Sequence, residues 1–136
     1  MEMAVKEMRL SRSEHAQKQD PLVGAVLVDA TGCVLGKAHR GKLREGEHAE
    51  FTLIERLLKD QDLSRTTLYV TLEPCTARQL PKSPCAKRVV SARIKRVFIG
   101  MLDPNPDIQG QGVNYLQHHP DCGGITVVRP KAGRCA

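Results

Sequence analysis

Residues 71–85 read TLEPCTARQLPKSPC, and the rest of the predicted fold is arranged around this segment. It holds two cysteines, Cys75 and Cys85, and each of them follows a proline. Upstream, His48 is followed two positions later by Glu50. A catalytic zinc ion takes three protein ligands and leaves one position open to water, and thiolate and imidazole groups suit this metal. The two parts together predict a zinc site with His48, Cys75 and Cys85 as ligands.

Glu50 gives this predicted site a catalytic character. Two thiolates and one neutral imidazole balance the charge of zinc, so a bound water can lose a proton without the site becoming strongly anionic. Glu50 would lie beside that water as a proton carrier. The alternative is a closed zinc site that only holds the fold, with a fourth ligand from Cys33, Cys122 or Cys135. A structural site does not require Glu50, which favours catalysis.

The composition indicates an ordinary globular domain. The chain has 136 residues, of which 40% are hydrophobic and 26% charged. We expect a single domain over residues 1–128 and a flexible basic tail over residues 129–136. No segment approaches the roughly 20 apolar residues of a membrane span, and the N-terminus lacks a secretory apolar run. These features predict a cytoplasmic protein with no membrane partner, and the odd number of cysteines argues against a disulfide scaffold.

The net charge of +6 favours anionic partners, either nucleotide phosphates or nucleic acid. A basic solvated surface is the simpler interpretation. Single-strand binding usually relies on exposed aromatic side chains, and the chain has no Trp, two Phe and two Tyr. Phe51, Tyr69 and Phe98 fall at core-like positions, which leaves only Tyr115 for stacking. The aromatic content therefore disfavours a nucleic-acid partner.

Apolar periodicity predicts the order of the secondary structure elements. Helices are predicted from Glu2 to about Gln17 and at residues 48–59, 84–92 and 113–119, and strands at residues 22–28, 34–39, 66–72, 94–100 and 125–128. The helix from His48 has the clearest apolar face, formed by Phe51, Leu53, Ile54, Leu57 and Leu58. The pattern predicts an α/β fold with a helix-covered mixed sheet. The gap between the last two strands has room for a helical crossover, so these strands should be parallel.

Three short motifs identify a family resemblance. Residues 48–50 (HAE), 73–75 (EPC) and 83–85 (SPC) resemble the cytidine deaminase-like superfamily, and His-x-Glu followed by Pro-Cys is a signature of zinc base deaminases. The resemblance covers residues 21–112. It implies a three-layer α/β/α sandwich with a five-stranded mixed sheet, hydrolytic removal of an exocyclic ring amine, and one zinc ion per chain. It also implies a homo-oligomer, either a dimer or a tetramer.

The resemblance assigns roles to the motif residues. His48, Cys75 and Cys85 would bind zinc, and Glu50 would carry protons between water and the ring. Ala49, between the histidine and the glutamate, would lie on the substrate side.

A further segment is similar to the riboflavin-biosynthesis pyrimidine deaminases. Residues 101–112 read MLDPNPDIQGQG and resemble the D-P-N-P…G-x-G segment of that branch. Nine residues separate Cys75 from Cys85, a wide gap that the branch shares, whereas tRNA adenosine and nucleoside deaminases have two. The substrate implied is a free pyrimidine nucleotide or an aminopyrimidine phosphate.

The same branch suggests candidate substrate-binding residues. Asp103 and Asn105 match the motif that contacts the sugar phosphate, and Lys82 lies near a basic position of that branch. Asp20 opens a segment, DPLVG, that is similar to the opening strand of the family. His39 could reach the mouth of the site. The alternatives are that Asp103 and Asn105 only form turns between prolines, and that Lys82 is solvated.

Three functional hypotheses follow. The first is a zinc-dependent deaminase of a free pyrimidine nucleotide or related aminopyrimidine. The second is a cytosine or adenine deaminase acting on single-stranded DNA or RNA. The third is a zinc-stabilised binding module without turnover.

Overall fold

Five strands form one mixed sheet at the centre of the protein. The structure is a computed structural model, and it describes residues 1–12, 21–78, 83–118 and 125–128. Within these residues the strand order is β2-β1-β3-β4-β5. The strands are β1 (Gly24–Val28), β2 (Val34–His39), β3 (Thr67–Val70), β4 (Arg96–Ile99) and β5 (Thr126–Val128). β1 pairs antiparallel with β2 and β3, whereas β3, β4 and β5 are parallel. The predicted mixed sheet with two parallel last strands is confirmed.

The described residues also form four helices. These are α1 (Glu2–Met8), α2 (Ala49–Phe51), α3 (Cys85–Ser91) and α4 (Gln111–His118), and a π-helical turn (Thr52–Leu57) continues α2. α4 supplies the crossover between the parallel strands β4 and β5, as the predicted order requires. Apart from α1, the ends of the predicted elements shift by at most two residues.

α1 is shorter than predicted because the chain turns to meet β1. The Ser11 N–H donates to the Met8 carbonyl over 3.0 Å, in an i→i−3 bond that closes the helix. The Ser11 hydroxyl donates to the Val23 carbonyl and accepts the Val23 N–H, both over 3.0 Å. The prediction extended this helix to about Gln17 and was wrong from Arg9 to Arg12; residues 13–17 lie outside the described part of the chain.

The helices cover both faces of the sheet. Gly24 faces α1, and a Cβ atom there would overlap the Ala4 carbonyl oxygen and the Met8 backbone nitrogen. Leu27 is three residues further along β1 and so points to the opposite face. On that face the π-helical turn packs against β2, and α3 contacts both α2 and α4. This arrangement is the predicted three-layer α/β/α sandwich.

The π-helical turn explains why one predicted core residue is exposed. The Leu58 N–H donates to the Leu53 carbonyl over 3.0 Å, five residues back instead of four. This extra residue in the turn rotates Leu57 out of the apolar face, where its side chain is 41% exposed. Leu53, Ile54 and Leu58 remain buried, as predicted.

The aromatic side chains are less buried than the sequence predicted. Phe51, Tyr69 and Phe98 are half-buried, and Tyr69 stacks on Phe98 with ring centroids 4.8 Å apart. Tyr115, which was predicted to be free, packs against the core instead. None of the helices in the described ranges combines the length and apolar character that a membrane span requires.

Candidate metal centre and active site

Two of the three predicted ligands lie at helix N-termini. His48 is the residue before α2, with extended backbone angles of φ −67° and ψ 152°. Cys85 is the first residue of α3 and follows Pro84, which has φ −60° and ψ 147°. Proline was predicted at the first helical position and instead caps the helix one residue earlier; it suits both places because its nitrogen carries no hydrogen. Cys75 lies in the loop that follows β3.

The three ligand atoms lie close together in space. His48 Nδ1 is 3.3 Å from Cys85 Sγ and 3.7 Å from Cys75 Sγ, and all three atoms lie within 4.8 Å of one another. A tetrahedral zinc ion with bonds of about 2.0 Å to nitrogen and about 2.3 Å to sulfur places these atoms roughly 3.6 Å apart. The measured distances bracket this value. The geometry and the donor set therefore fit zinc, as predicted.

The two cysteines shift each other's pKa in opposite directions. A hydrogen bond with the Cys85 thiol is the largest cause that lowers the pKa of Cys75, to about 4. The same hydrogen bond, followed by burial, raises the pKa of Cys85. The Cys85 backbone N–H also donates to Cys75 Sγ over 3.3 Å. A divalent cation at this position would stabilise both thiolates.

The Glu50 carboxyl is buried beside the metal-binding group, whose members His48 and Cys75 are partly exposed. Its side chain is 3% exposed, and this burial is the largest cause that raises the pKa of its carboxyl. The negative charge of Cys75 raises that pKa further, whereas His48 and a hydrogen bond with Cys85 lower it. A carboxyl group with a raised pKa can both accept and donate a proton near neutral pH. The role of Glu50 as a proton carrier stays a prediction.

Cys33, the candidate fourth ligand that lies in the described part of the chain, does not join this group. Within the described residues, the metal-binding group consists of His48, Cys75 and Cys85. Cys33 is exposed in the turn between β1 and β2, where its sulfur accepts a hydrogen bond from Thr31. Cys122 and Cys135 lie outside the described residues. The described group therefore has the three-ligand composition of a catalytic site.

The predicted substrate-binding residues have different environments. Asp103 and Asn105 form consecutive turns: Asp103 Oδ1 accepts the Asn105 N–H over 2.9 Å, and Asn105 Oδ1 accepts the Asp107 N–H over 3.0 Å. These hydrogen bonds show that both residues form turns, and their contact with substrate stays a prediction. Ala49 is fully buried at the start of α2. Asp20 and Lys82 lie outside the described residues.

His39 is held by a residue that the sequence analysis did not consider. Its Nδ1 atom lies 2.8 Å from Oε1 of Glu7, a 4% exposed carboxylate in α1. Lys42 Nζ lies 3.5 Å from the same oxygen. Glu7 is 32 residues away in sequence, so no local pattern indicates the contact. His39 therefore belongs to the α1 side of the sheet, like its neighbour Gly24 in the strand pairing.

The sheet, the helix-borne ligands and the buried carboxyl define a class of protein: a zinc-dependent deaminase domain. The chain belongs to the family described as the cytidine and deoxycytidylate deaminase zinc-binding region, whose model matches residues 1–101.

The chain is similar in sequence to deaminases of two kinds. It is 39% identical over 109 residues to the riboflavin biosynthesis protein RibD of Actinobacillus pleuropneumoniae, covering 80% of this chain and 27% of that protein. It is 36% identical over 124 residues to a tRNA-specific adenosine deaminase of Bacillus subtilis, covering 85% of this chain and 71% of that protein.

A solved structure agrees with the fold. The crystal structure of a diaminohydroxyphosphoribosylaminopyrimidine deaminase/5-amino-6-(5-phosphoribosylamino)uracil reductase from Thermotoga maritima matches with a TM-score of 0.77 and 34% identity. The match covers 95% of this chain and 34% of that one. The chain thus spans about a third or less of these two riboflavin-pathway proteins.

Proposed function

We propose that the protein is a hydrolytic deaminase of an aminopyrimidine phosphate, of the kind used in riboflavin biosynthesis. The observation that carries this proposal is the pairing of a three-ligand metal group with the buried Glu50 carboxyl. The reaction replaces an exocyclic amine by a carbonyl oxygen taken from water, and it releases ammonia. Zinc bound by His48, Cys75 and Cys85 would lower the pKa of a water molecule at its open position.

Glu50 moves the protons of this reaction. Its carboxylate accepts a proton from the water and donates it to the ring nitrogen beside the amine-bearing carbon. The oxygen of the deprotonated water bonds to that carbon. Glu50 then takes the remaining proton of the new hydroxyl group and donates it to the amine, the C–N bond breaks, and ammonia leaves as the C–O bond becomes a carbonyl. Burial supports this role because it raises the pKa of Glu50 and so makes the protonated form accessible.

The segment that contains Asp103 and Asn105 supports the choice of substrate. It resembles the corresponding segment of riboflavin-pathway deaminases, and the Thermotoga maritima protein is named for an aminopyrimidine that carries a ribosyl phosphate. The Asn105 amide group carries N–H donors that suit phosphate oxygens. We assign phosphate contact to Asn105 and Lys82, and contact with the sugar to Asp103. Ala49, Asp20 and His39 stay predictions as substrate-side residues.

A nucleic-acid substrate is the second candidate. The net charge of +6 and the 36% identity to a tRNA-specific adenosine deaminase support it. The half-buried aromatic side chains argue against base stacking, since Tyr115 packs on the core. A steep loss of oligonucleotide affinity with rising salt would favour this candidate.

Ammonia release by the zinc-loaded protein tests the proposal. The panel holds pyrimidine bases, nucleosides, nucleotides, the aminopyrimidine ribosyl phosphate and single-stranded oligonucleotides, with Glu50→Gln as the control. Turnover of the aminopyrimidine phosphate that is lost in the variant supports the proposal. Turnover of oligonucleotides alone supports the second candidate. If no compound of the panel releases ammonia and X-ray absorption spectra show a fourth protein ligand on zinc, the result supports the non-catalytic binding module.

Three wider expectations accompany this function. A cytoplasmic location and a homo-oligomeric state, as a dimer or a tetramer, stay predictions from the sequence and the resemblance. The basic tail of residues 129–136 lies outside the described residues and also stays a prediction.

A further inference from the structure

Glu73 is a buried carboxylate for which the reaction described above has no use. Its side chain is only 5% exposed, and it lies three residues after the end of strand β3. Burying a charged carboxylate is costly unless hydrogen bonds stabilise it. Glu73 accepts three backbone N–H groups: Oε1 accepts those of Asp103 (3.0 Å) and Gly110 (2.9 Å), and Oε2 accepts that of Val113 (3.0 Å).

These three N–H groups belong to one structural unit. Asp103 opens the segment that carries the proposed sugar and phosphate contacts, and Gly110 closes it. Val113 is the third residue of α4, whose first N–H groups have no partner within the helix. One carboxylate therefore holds both ends of the segment and also caps α4 with a favourable charge. The Glu73 backbone N–H binds the same region, since it donates to the Met101 carbonyl over 2.9 Å.

Glu73 also lies close to the metal centre along the chain. Only Pro74 separates it from the ligand Cys75. α4 packs directly on this junction, because a Cβ atom at Gly112 would overlap the Pro74 carbonyl and lie 2.7 Å from Glu73 Cγ. A weaker, exposed link lies beside it, where the Thr76 hydroxyl donates to Gln111 Oε1 over 3.2 Å.

We infer that Glu73 is a positioning residue, which sets the place of residues 103–110 relative to Cys75 and thereby the affinity for the phosphate-bearing part of the substrate. The inference rests on the proposed function, since it assigns substrate contact to that segment. A carboxylate is required because both oxygens accept N–H groups. A glutamine would present an N–H donor in place of one of these acceptors.

Glu73→Gln tests this inference, with Glu2→Gln as the same chemical change at an exposed position in α1. Both zinc-loaded proteins are assayed with the aminopyrimidine ribosyl phosphate and with its dephosphorylated form. In Glu73→Gln we expect KM for the phosphorylated substrate to rise about 10- to 100-fold, since hydrogen bonds to a buried charge are lost. KM for the dephosphorylated form should rise less than KM for the phosphorylated form, because it keeps the sugar that Asp103 contacts but lacks the phosphate. kcat for both should stay within about threefold, because the reacting groups are untouched.

Whether KM or kcat changes distinguishes a positioning role of Glu73 from a simple loss of folded protein. A variant that only unfolds more easily loses active protein, which lowers kcat and leaves KM unchanged. Equal effects on the two substrates, or a fall in kcat alone, would overturn the inference. Loss of zinc with unchanged KM would also overturn it, because Glu73 would then act on the metal site.

A second variant covers the case in which Glu73→Gln folds poorly, and a second readout applies where that variant folds. Thr76→Val removes only the exposed link to Gln111, and KM for the phosphorylated substrate should rise about two- to tenfold. Hydrogen exchange of the zinc-loaded protein gives a readout without substrate. The amides of residues 103, 110 and 113 should exchange at least about tenfold faster in Glu73→Gln than in Glu2→Gln. Unchanged exchange would contradict the inference.

The two proposals can fail separately. If the wild-type protein releases ammonia from neither substrate, the proposed function is wrong, and exchange at the three amides still decides whether Glu73 holds the segment. If the wild type is active and Glu73→Gln keeps its KM values, the function stands and the role of Glu73 is wrong.

Discussion

His48 Nδ1 lies 3.3 Å from Cys85 Sγ, although the two residues are 37 positions apart in the sequence. The contact exists because α2 and α3 pack side by side on one face of the sheet and begin at the same place. Each helix N-terminus carries a partial positive charge, which stabilises a thiolate nearby. The metal centre is thus formed where two helices start, and its geometry depends on how these helices pack.

Removal of one sulfur ligand tests the metal centre. Cys85→Ser replaces a soft thiolate by a hydroxyl, so the affinity for zinc should fall at least about 10-fold. Zinc content after dialysis against a chelator measures the effect. Cys33→Ser makes the same change in an exposed turn and should retain one zinc ion per chain. Equal zinc content in the two variants would contradict the assignment.

Replacement of the buried carboxyl tests the proton carrier. Glu50→Gln keeps the shape of the side chain but cannot transfer protons, so kcat should fall by about 10²- to 10⁴-fold. Zinc content should stay at the wild-type value, because Glu50 is not a member of the ligand group. Glu55→Gln, a change in the same helix at a side chain that is 42% exposed, serves as the control. Wild-type kcat in Glu50→Gln would refute the mechanism.

Phe51 in α2 contacts Arg88 in α3, so its replacement should lower the stability of the fold. Two guanidinium groups contact its ring, with the Arg88 Cζ atom 4.4 Å and the Arg56 Cζ atom 5.4 Å from the ring centroid. Phe51→Leu keeps an apolar side chain but removes both cation–π contacts. The free energy of unfolding should fall by about 1–2 kcal/mol. Urea denaturation measures this, and an unchanged midpoint would show that the contacts contribute nothing.

The Glu7 carboxylate predicts a pH dependence of stability. Burial raises the pKa of Glu7, but the hydrogen bond with His39 and the charge of Lys42 outweigh it, and the pKa lies below its usual value of 4.5. An acid with a lowered pKa stabilises the fold above its unfolded-state pKa and loses that contribution as the pH falls through the folded-state pKa. Glu7→Gln should therefore cost about 1.5–3 kcal/mol of unfolding free energy at pH 7.

The comparison of wild type with Glu7→Gln at two pH values checks the sign. The difference in unfolding free energy should be present at pH 7 and should shrink as the pH falls below about 4.5. Urea denaturation at pH 7 and pH 4 measures it. A difference that grew at low pH would mean that Glu7 is destabilising when charged.

The amino-acid sequence alone determined the chemistry of the site and the order of the elements. A zinc centre accepts few side-chain types, so His48, Cys75, Cys85 and Glu50 were recognisable from their identity and their neighbours. The strands were recognisable as apolar runs, because a buried strand excludes polar residues over several positions. The ligand motifs and the apolar runs are local features of the sequence, so they can be identified without knowledge of the fold.

The tertiary structure decided what depends on contacts between distant residues. Glu73 was visible in the sequence only as the first residue of the EPC motif, with no role assigned to it, and its three partners lie 30, 37 and 40 positions away. The hydrogen bond between His39 and Glu7 and the outward rotation of Leu57 arise in the same way, from the packing of helices on the sheet. A buried polar group forms hydrogen bonds with the groups that the fold places next to it. Short-range sequence periodicity does not predict which groups these are.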